Sequence, residues 1–205
     1  LCIPFLARPE DGSQLWLRFS KPGKAVHGVD VLGIKSADPT VALAKQELLD
    51  YWKGAGITLQ IDVKQKQLKD GYQINQNEKK IQVVASRPIG LLYAAYHLLR
   101  LQETGGQLSS SKIIEIPSYD IRVLNHWDNL DGTIERGYAG HSLWNWAELP
   151  KKLSPRYEQY ARANASIGIN ATVLNNVNAS AQVLDAGYLA KVKALADVFR
   201  KYGIK

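Results

Sequence analysis

Residues 119–146 read YDIRVLNHWDNLDGTIERGYAGHSLWNW. From Asp120 to Asn125 apolar and polar side chains alternate, the period of a strand. Gly132, Gly137 and Gly140 then break the segment into a loop. That loop and its strand hold Trp127, Trp144 and Trp146, two His, two Arg and several carboxylates. Packing alone would not call for this mixture. Trp and Tyr present flat apolar faces with a polar tip, while Asn, Asp, Glu and Arg offer directional hydrogen bonds. Together they suit the alternating apolar faces and hydroxyl edges of a sugar ring.

Toward the C-terminus, Ser154-Pro155 supplies an N-cap followed by Pro at the first helical position, and predicts a helix that runs to Gly168. Ile169 to Asn175 reads as a second strand. A helix follows from about Ala186 to Tyr202, with Leu189, Val192, Leu195, Ala196 and Phe199 on its apolar side. Gly203 ends it, and Ile204-Lys205 starts a third strand. Strand, helix, strand, helix, strand is the rhythm of a parallel sheet with crossover helices. Val-Leu-Asn recurs at 123–125 and 173–175. Alternation places Val123, Asn125 and Trp127 on one face of the first strand, and Val173, Asn175 and Val177 on one face of the second. The echo sets these residues at matching heights, with an apolar wall at each C-terminal end.

Toward the N-terminus, Leu15 to Phe19 and Val29 to Ile34 alternate as strands. Asp38-Pro39 opens a helix carrying Val41, Ala44, Leu48, Tyr51 and Trp52, which Gly54 and Gly56 stop. Ile57 to Val63 is a strand. A polar hairpin region around Asp70-Gly71 leads to strands at Tyr72 to Asn75 and Lys80 to Ala85. Arg87-Pro88 starts a helix whose apolar face is Leu91, Leu92, Ala95, Leu98, Leu99 and Leu101, ended by Thr104-Gly105-Gly106. His97, Tyr93 and Tyr96 on it are expected to pack. Residues 8–115 thus predict an α/β domain, two helices on a mixed or mainly antiparallel sheet, and residues 116–205 a parallel βα unit.

The totals set limits. A 205-residue chain with 45% hydrophobic and 22% charged residues has the composition of a globular protein, and no apolar run approaches the ~20 residues that span a bilayer. The formal charge is +7. Its densest cluster, Lys64, Lys66, Lys69, Lys79 and Lys80, lacks interleaved aromatics and reads as a solvated surface, so no nucleic-acid partner is expected. Cys2 is the single cysteine, which excludes an intrachain disulfide. The chain begins with Leu and contains no Met, so residue 1 is not expected to be the translational start. Leu1 to Ala7 reads as the remnant of a secretory signal, or as an ordinary first strand or tag. The first reading implies a periplasmic or secreted protein, the second is equally at home in the cytoplasm.

Each candidate residue carries two readings. Trp127 lines a sugar pocket or packs a barrel mouth. Glu135 bonds a hydroxyl or anchors the loop through an ion pair, and Arg136 beside it would keep its carboxylate ionised. The planar guanidinium of Arg136 matches a sugar carboxylate, or closes a salt bridge within the loop. Asn125, Asn175 and Asn176 are hydroxyl partners or ties between strands. Asp128 bonds the sugar or caps the loop. His126 and Asp128 share a strand face, but without further ligands at useful spacing they make no metal site. His126 reads as structural, and Asp131-Gly132 as a turn.

The runs Asn125-His126-Trp127-Asp128-Asn129 and Ile134-Glu135-Arg136-Gly137-Tyr138-Ala139-Gly140 closely resemble the first barrel strand and loop of the glycoside hydrolase family 67 α-glucuronidases. The likeness extends more loosely from Leu15-Trp16-Leu17-Arg18 to the end. The helix reading GLLYAAYHLLRLQ resembles the one that closes the small domain ahead of the barrel in this family and in β-hexosaminidases. The resemblance implies a small α/β domain followed by the first βα units of a (β/α)8 TIM barrel. The implied activity is removal of α-1,2-linked glucuronic acid, often 4-O-methylated, from xylo-oligosaccharides. It implies inversion by two carboxylates without a cofactor, and is compatible with a homodimer of the full-length enzyme. Trp127 and Val177 would form the wall that receives the 4-O-methyl group. The acid and base would come from later strands, beyond Lys205, so no catalytic residue is assigned here and the chain alone is expected to be inactive. His141 departs from the more basic residue of the family pattern. Two other readings stay open: a hexosaminidase-like barrel hydrolase and a noncatalytic carbohydrate-binding module.

Overall fold

The computed structural model describes residues 12, 14–22, 28–33, 38–77, 80–106, 108 and 111–205. The expectations for Leu1 to Ala7, for Ile34 and for Lys79 lie outside the described residues. Five strands, β1 (Val29–Leu32), β2 (Gly56–Ile61), β3 (Tyr72–Gln76), β4 (Lys80–Ala85) and β5 (Lys112–Glu115), form a sheet in the order β1-β2-β4-β3-β5. It is mixed: β1 with β2 and β2 with β4 are parallel, while β3 is antiparallel to both β4 and β5. Two helices belong to it, α1 (Pro39–Tyr51) and α2 (Pro88–Glu103). The Asp38 carboxylate caps α1 by accepting from Thr40 N at 2.9 Å and Val41 N at 3.1 Å, a contribution of about 1 kcal/mol.

Two local expectations fail for physical reasons. Leu15 to Phe19 forms no strand. Gln14 to Trp16 make a turn, and the segment beyond it joins no ladder. Its alternation is real, since Leu17 and Phe19 are buried and Arg18 and Ser20 exposed, but it seats side chains in the core rather than pairing with a strand. Asp70-Gly71 is not a hairpin either, because β4 lies between β2 and β3. The hairpin joins β3 to β4, where Asn77 Oδ1 accepts from Lys80 N at 2.8 Å. β5 was not foreseen.

β6 (Val123–Asn125), α3 (Pro155–Ser166), β7 (Ala171–Val173) and α4 (Ala186–Arg200) follow, and β6 and β7 are parallel. Lys205 N donates to Asn170 O at 3.0 Å and Lys205 O accepts from Thr172 N at 2.9 Å, so Lys205 is bonded along the side of β7 away from β6, although no third strand is formed there among the described residues.

α2 is buried nearly all round, from Ile89 to Tyr96 and again at Leu98 and Leu99, as a helix apolar on every face must be. One side lies on the sheet: Tyr72 OH meets His97 Nδ1 at 2.6 Å, and a Cβ on Gly90 would fall 2.3 Å from Gly71 O and 2.8 Å from the Ala85 Cβ. The other side, Ile89, Tyr93, Tyr96 and Arg100 at helical spacing, meets the second unit. A Cβ on Gly203, whose φ is +70°, would strike Ile89 at 2.3 Å. Tyr93 OH donates to Gly168 O at 3.4 Å, and Arg100 donates to Ser166 O. One contiguous apolar cluster therefore runs from Leu17 to Ile204, through the five-stranded sheet and the helices of both units.

Two ion-pair networks close this junction. The Arg162 guanidinium grips Glu47 through Nε–Oε1 at 2.5 Å and Nη2–Oε2 at 2.7 Å, Tyr96 OH donates to Glu47 Oε1 at 3.0 Å, and Arg162 stacks over Phe19 and Tyr51. Asp70 takes Arg87 at 2.9 Å and Arg122 at 3.4 Å, and Arg122 also reaches Tyr93 OH at 3.2 Å. A bidentate, nearly buried pair is weak as a net stabiliser but costly to break on one side. Arg162→Leu should thus lower the unfolding free energy by about 3 kcal/mol, while Glu47→Leu/Arg162→Leu should recover much of that loss. Urea unfolding of the single and double variants checks this, and strictly additive losses would show that the two residues are not coupled.

Candidate functional site

The loop after β6 is built on its own backbone. Asp131 Oδ1 accepts from Thr133 N at 2.9 Å and Thr133 Oγ1 at 2.7 Å, which makes the expected turn at Asp131-Gly132 and holds the Asp131 carboxyl below its ordinary pKa. Asn129 Nδ2 donates to Thr133 Oγ1 at 2.9 Å and to Glu135 O at 2.8 Å. Glu135 adopts φ +57°, a conformation uncommon outside glycine, and its N–H donates to Trp127 O at 2.8 Å. The turn carrying Glu135 and Arg136 is thereby fastened to the strand end that carries Trp127.

At the C-terminal ends of β6 and β7 lies an open concavity of about 520 Å³. Asn125, Asn175, Asn176 and Val177 line it, together with Val173 and the apolar Val183 and Leu184. Four of the eight candidate residues therefore share one surface. Trp127 is outside this lining set, beyond the end of β6, and is 43% exposed. Glu135 is half-buried and Arg136 exposed, and neither side chain forms an ion pair or hydrogen bond among the described residues. The salt bridge within the loop is absent from this arrangement, which leaves both groups available.

Asp128 is placed differently from the other candidates. Its carboxylate is 2% exposed; Ser142 Oγ donates to Oδ2, and His126 Nδ1 stands 3.6 Å from Oδ1. That places it in the loop scaffold, where its backbone oxygen also accepts from Asn176 N at 2.7 Å. Asn176 is buried too. Its Oδ1 accepts from Asn178 N at 2.9 Å, so its side chain shapes the loop after β7 while bordering the concavity.

The Val-Leu-Asn echo needs correction. The ladder pairs Val123 with Ala171 and Asn125 with Val173, so Asn175 stands two residues beyond Asn125 rather than level with it. Val177 lies past the ladder, 84% exposed. Hydrogen-bond register, not repeated letters, sets height along a strand. Because the slip is an even number of residues, the facing survives: Asn125, Val173, Asn175 and Val177 all border the same concavity.

The support beneath the site was not foreseen. His126 Nε2 is 2.8 Å from Tyr160 OH, which is 3.0 Å from Thr172 Oγ1 on β7. Trp144, fully buried, packs against His126, Tyr157, Tyr160 and Phe199 with ring centroids 5.2–5.7 Å apart. The sequence signal for Tyr160 was its place on the inner face of α3; its partner could not be read from spacing. Val183 and Leu184, an apolar pair in a polar stretch, were a visible sign of the far wall. Among the described residues no group of three or more His, Cys, Asp or Glu could hold a metal ion, and no helix is long and apolar enough to cross a membrane.

The sequence profile of the glycosyl hydrolase family 67 middle domain matches residues 101–205. A probable alpha-glucuronidase A of Neosartorya fischeri is 42% identical over 137 residues, covering 66% of this chain and 16% of that protein. Alpha-glucuronidase A of Emericella nidulans is 37% identical over 144 residues, covering 67% of this chain and 17% of that protein. The chain thus spans about a sixth of the length of these curated relatives. Among solved structures, a GH138 enzyme targeting pectin rhamnogalacturonan II superposes with a TM-score of 0.59 at 16% identity, covering 87% of this chain and 24% of that one. A GH115 4-O-methyl-alpha-glucuronidase with specificity for decorated arabinogalactans gives 0.52 at 14% identity, covering 90% and 28%. These two likenesses concern the fold alone.

Burial holds both His97 and His126 below their ordinary pKa, for His126 against the opposing pull of Asp128. The unfolded chain therefore takes up these protons first as the pH falls. The stability they lend is complete above about pH 6.5 and is lost as the pH drops through that value toward the lower folded-state pKa. Urea midpoints should be lower at pH 5.5 than at pH 7.5. The difference should shrink in a His97→Gln/His126→Gln variant, and an undiminished difference there would assign the effect to other groups.

Proposed function

Since the chain belongs to glycosyl hydrolase family 67, we propose that it supplies the small α/β unit and the first βα units of the (β/α)8 barrel of an α-glucuronidase. The substrates are xylo-oligosaccharides bearing α-1,2-linked glucuronic acid or its 4-O-methyl ether, and the reaction is an inverting hydrolysis. The observation that carries this reading is the concavity at the C-terminal ends of two parallel strands, where Asn125, Asn175, Asn176 and Val177 meet. In barrels of this kind substrate binds at that end. Lys205, bonded to the outer edge of β7, supports continuation of the parallel sheet.

In the concavity, and on the strand end and loop beside it that carry Trp127, Glu135 and Arg136, the roles follow from chemistry. Trp127 and Val177 supply apolar surface for the ring face and the methyl group. Asn125 and Asn175 offer amides to hydroxyls. Arg136, exposed and without a carboxylate partner among the described residues, offers two parallel donors to the uronate, and Glu135 accepts from a hydroxyl. Asn176 and Asp128 act from below, through the loops they hold. No residue of this chain is assigned as general acid or base.

Trp127→Ala in the full-length enzyme should lower kcat/KM on 4-O-methylglucuronosyl xylo-oligosaccharides by the loss of roughly 1–3 kcal/mol of apolar burial. An unchanged kcat/KM would remove Trp127 from the pocket. Arg136→Lys should weaken binding of glucuronate more than of its neutral glucose analogue, because an ammonium cannot reproduce the planar fork. Equal weakening of both ligands in isothermal titration would return Arg136 to the loop.

A further inference from the structure

Under the concavity a row of polar side chains joins four elements. Ser142 in the loop donates to Asp128 Oδ2; Asp128 Oδ1 faces His126 Nδ1 at 3.6 Å; His126 Nε2 meets Tyr160 OH of α3 at 2.8 Å; and Tyr160 OH meets Thr172 Oγ1 of β7 at 3.0 Å. Burial favours the neutral imidazole. A neutral imidazole has one N–H and one lone pair. With a carboxylate opposite Nδ1, the proton belongs on Nδ1, Nε2 accepts from the Tyr160 hydroxyl, and the Tyr160 oxygen accepts from Thr172. Every donor in the row then points toward the Asp128 charge, an order that low dielectric strengthens.

His126 and Asp128 are the two neighbours of Trp127. On an extended chain their side chains leave the face opposite to the indole. The backbone is pinned at the same points: His126 N donates to Val173 O at 3.0 Å, Trp127 O accepts from Glu135 N at 2.8 Å, and Asp128 O accepts from Asn176 N at 2.7 Å. Trp127 is the exposed residue in a segment fastened on both flanks and across to β7. Tyr160 is fixed in turn by an edge contact with Trp144 at 5.2 Å and by Phe199 at 5.7 Å.

We propose that His126, Asp128, Tyr160 and Thr172 are positioning residues that act through Trp127, holding the indole at the height where it separates methylated from unmethylated glucuronosyl groups. This rests on the reading of Trp127 as a wall of the sugar site. Neither Tyr160 nor Thr172 lines the concavity, so their effect on selectivity passes through the row.

The test uses the full-length enzyme with Tyr160→Phe, which keeps the ring packing, and Thr172→Val, which keeps the shape of the β-branched side chain. The readout is the ratio of kcat/KM on 4-O-methylglucuronosyl to that on glucuronosyl xylo-oligosaccharides. Each variant should lower the ratio about threefold or more, toward the Trp127→Ala value, with kcat/KM on the unmethylated substrate held within about twofold. In the Trp127→Ala background, Tyr160→Phe should leave the ratio where it is, because coupled residues are not additive. A merely structural role would depress both substrates alike, and that result overturns the proposal. If Trp127→Ala collapses the ratio while Tyr160→Phe and Thr172→Val leave it intact, the positioning role fails alone. If Trp127→Ala itself leaves the ratio unchanged, the reading of the site fails and takes this inference with it.

Discussion

A helix apolar on all sides needs cover on all sides, and α2 obtains it from α1 beside it and from two layers that face it. The mixed sheet takes one face, where Gly90 lets the helix backbone settle against Gly71 and Ala85. The second unit takes the other, where Ile89 meets Gly203 and Arg100 meets the end of α3. Each large side chain so buried contributes roughly 1.5–3 kcal/mol relative to exposure. Neither layer could release α2 without uncovering that surface. The ion pairs at the rim, Glu47–Arg162 and Asp70–Arg122, add orientation more than net stability, since taking charges out of water offsets most of their attraction.

The candidate site inherits its geometry from that packing. α3 lies on α2 by one side and raises Tyr160 toward β6 and β7 by another, where it meets His126 and Thr172. Trp144, carried in by the loop after β6, fills the space between α3 and α4 and closes the loop over its own strand. The polar loop is thus held by an aromatic cluster and by the buried Asp128 and Asn176, while Glu135 and Arg136 remain outside. Rigid support under exposed, unpartnered polar groups is what a sugar site needs, because ordering those groups at the moment of binding would cost affinity.

Where sequence pattern and structure disagree, the cause is a tertiary partner. Leu17 and Phe19 alternate with polar residues as a strand does, yet they pair with no strand among the described residues. Asp70-Gly71 has turn chemistry, but β4 occupies the place next to β2 that a hairpin would require. The repeated Val-Leu-Asn marks two strands with the same facing, while their register falls two residues short of the repeat. Asp128 has the chemistry of a sugar ligand and the burial of a scaffold residue.

Local chemistry alone was enough for the helices. Asp38-Pro39 and Ser154-Pro155 start α1 and α3 where their caps and prolines predict, and Pro88 alone marks the start of α2. These are properties of neighbours in sequence, so sequence contains them. The mixed order of the sheet, the two-sided cover of α2, the withdrawal of Asp128 from the surface and the row from Ser142 to Thr172 depend on residues far apart in the chain. Only packing brings Glu47 to Arg162 or Tyr160 to His126, because a side chain's partner is fixed by where helices and sheets bury their apolar faces, and that is a property of the whole fold.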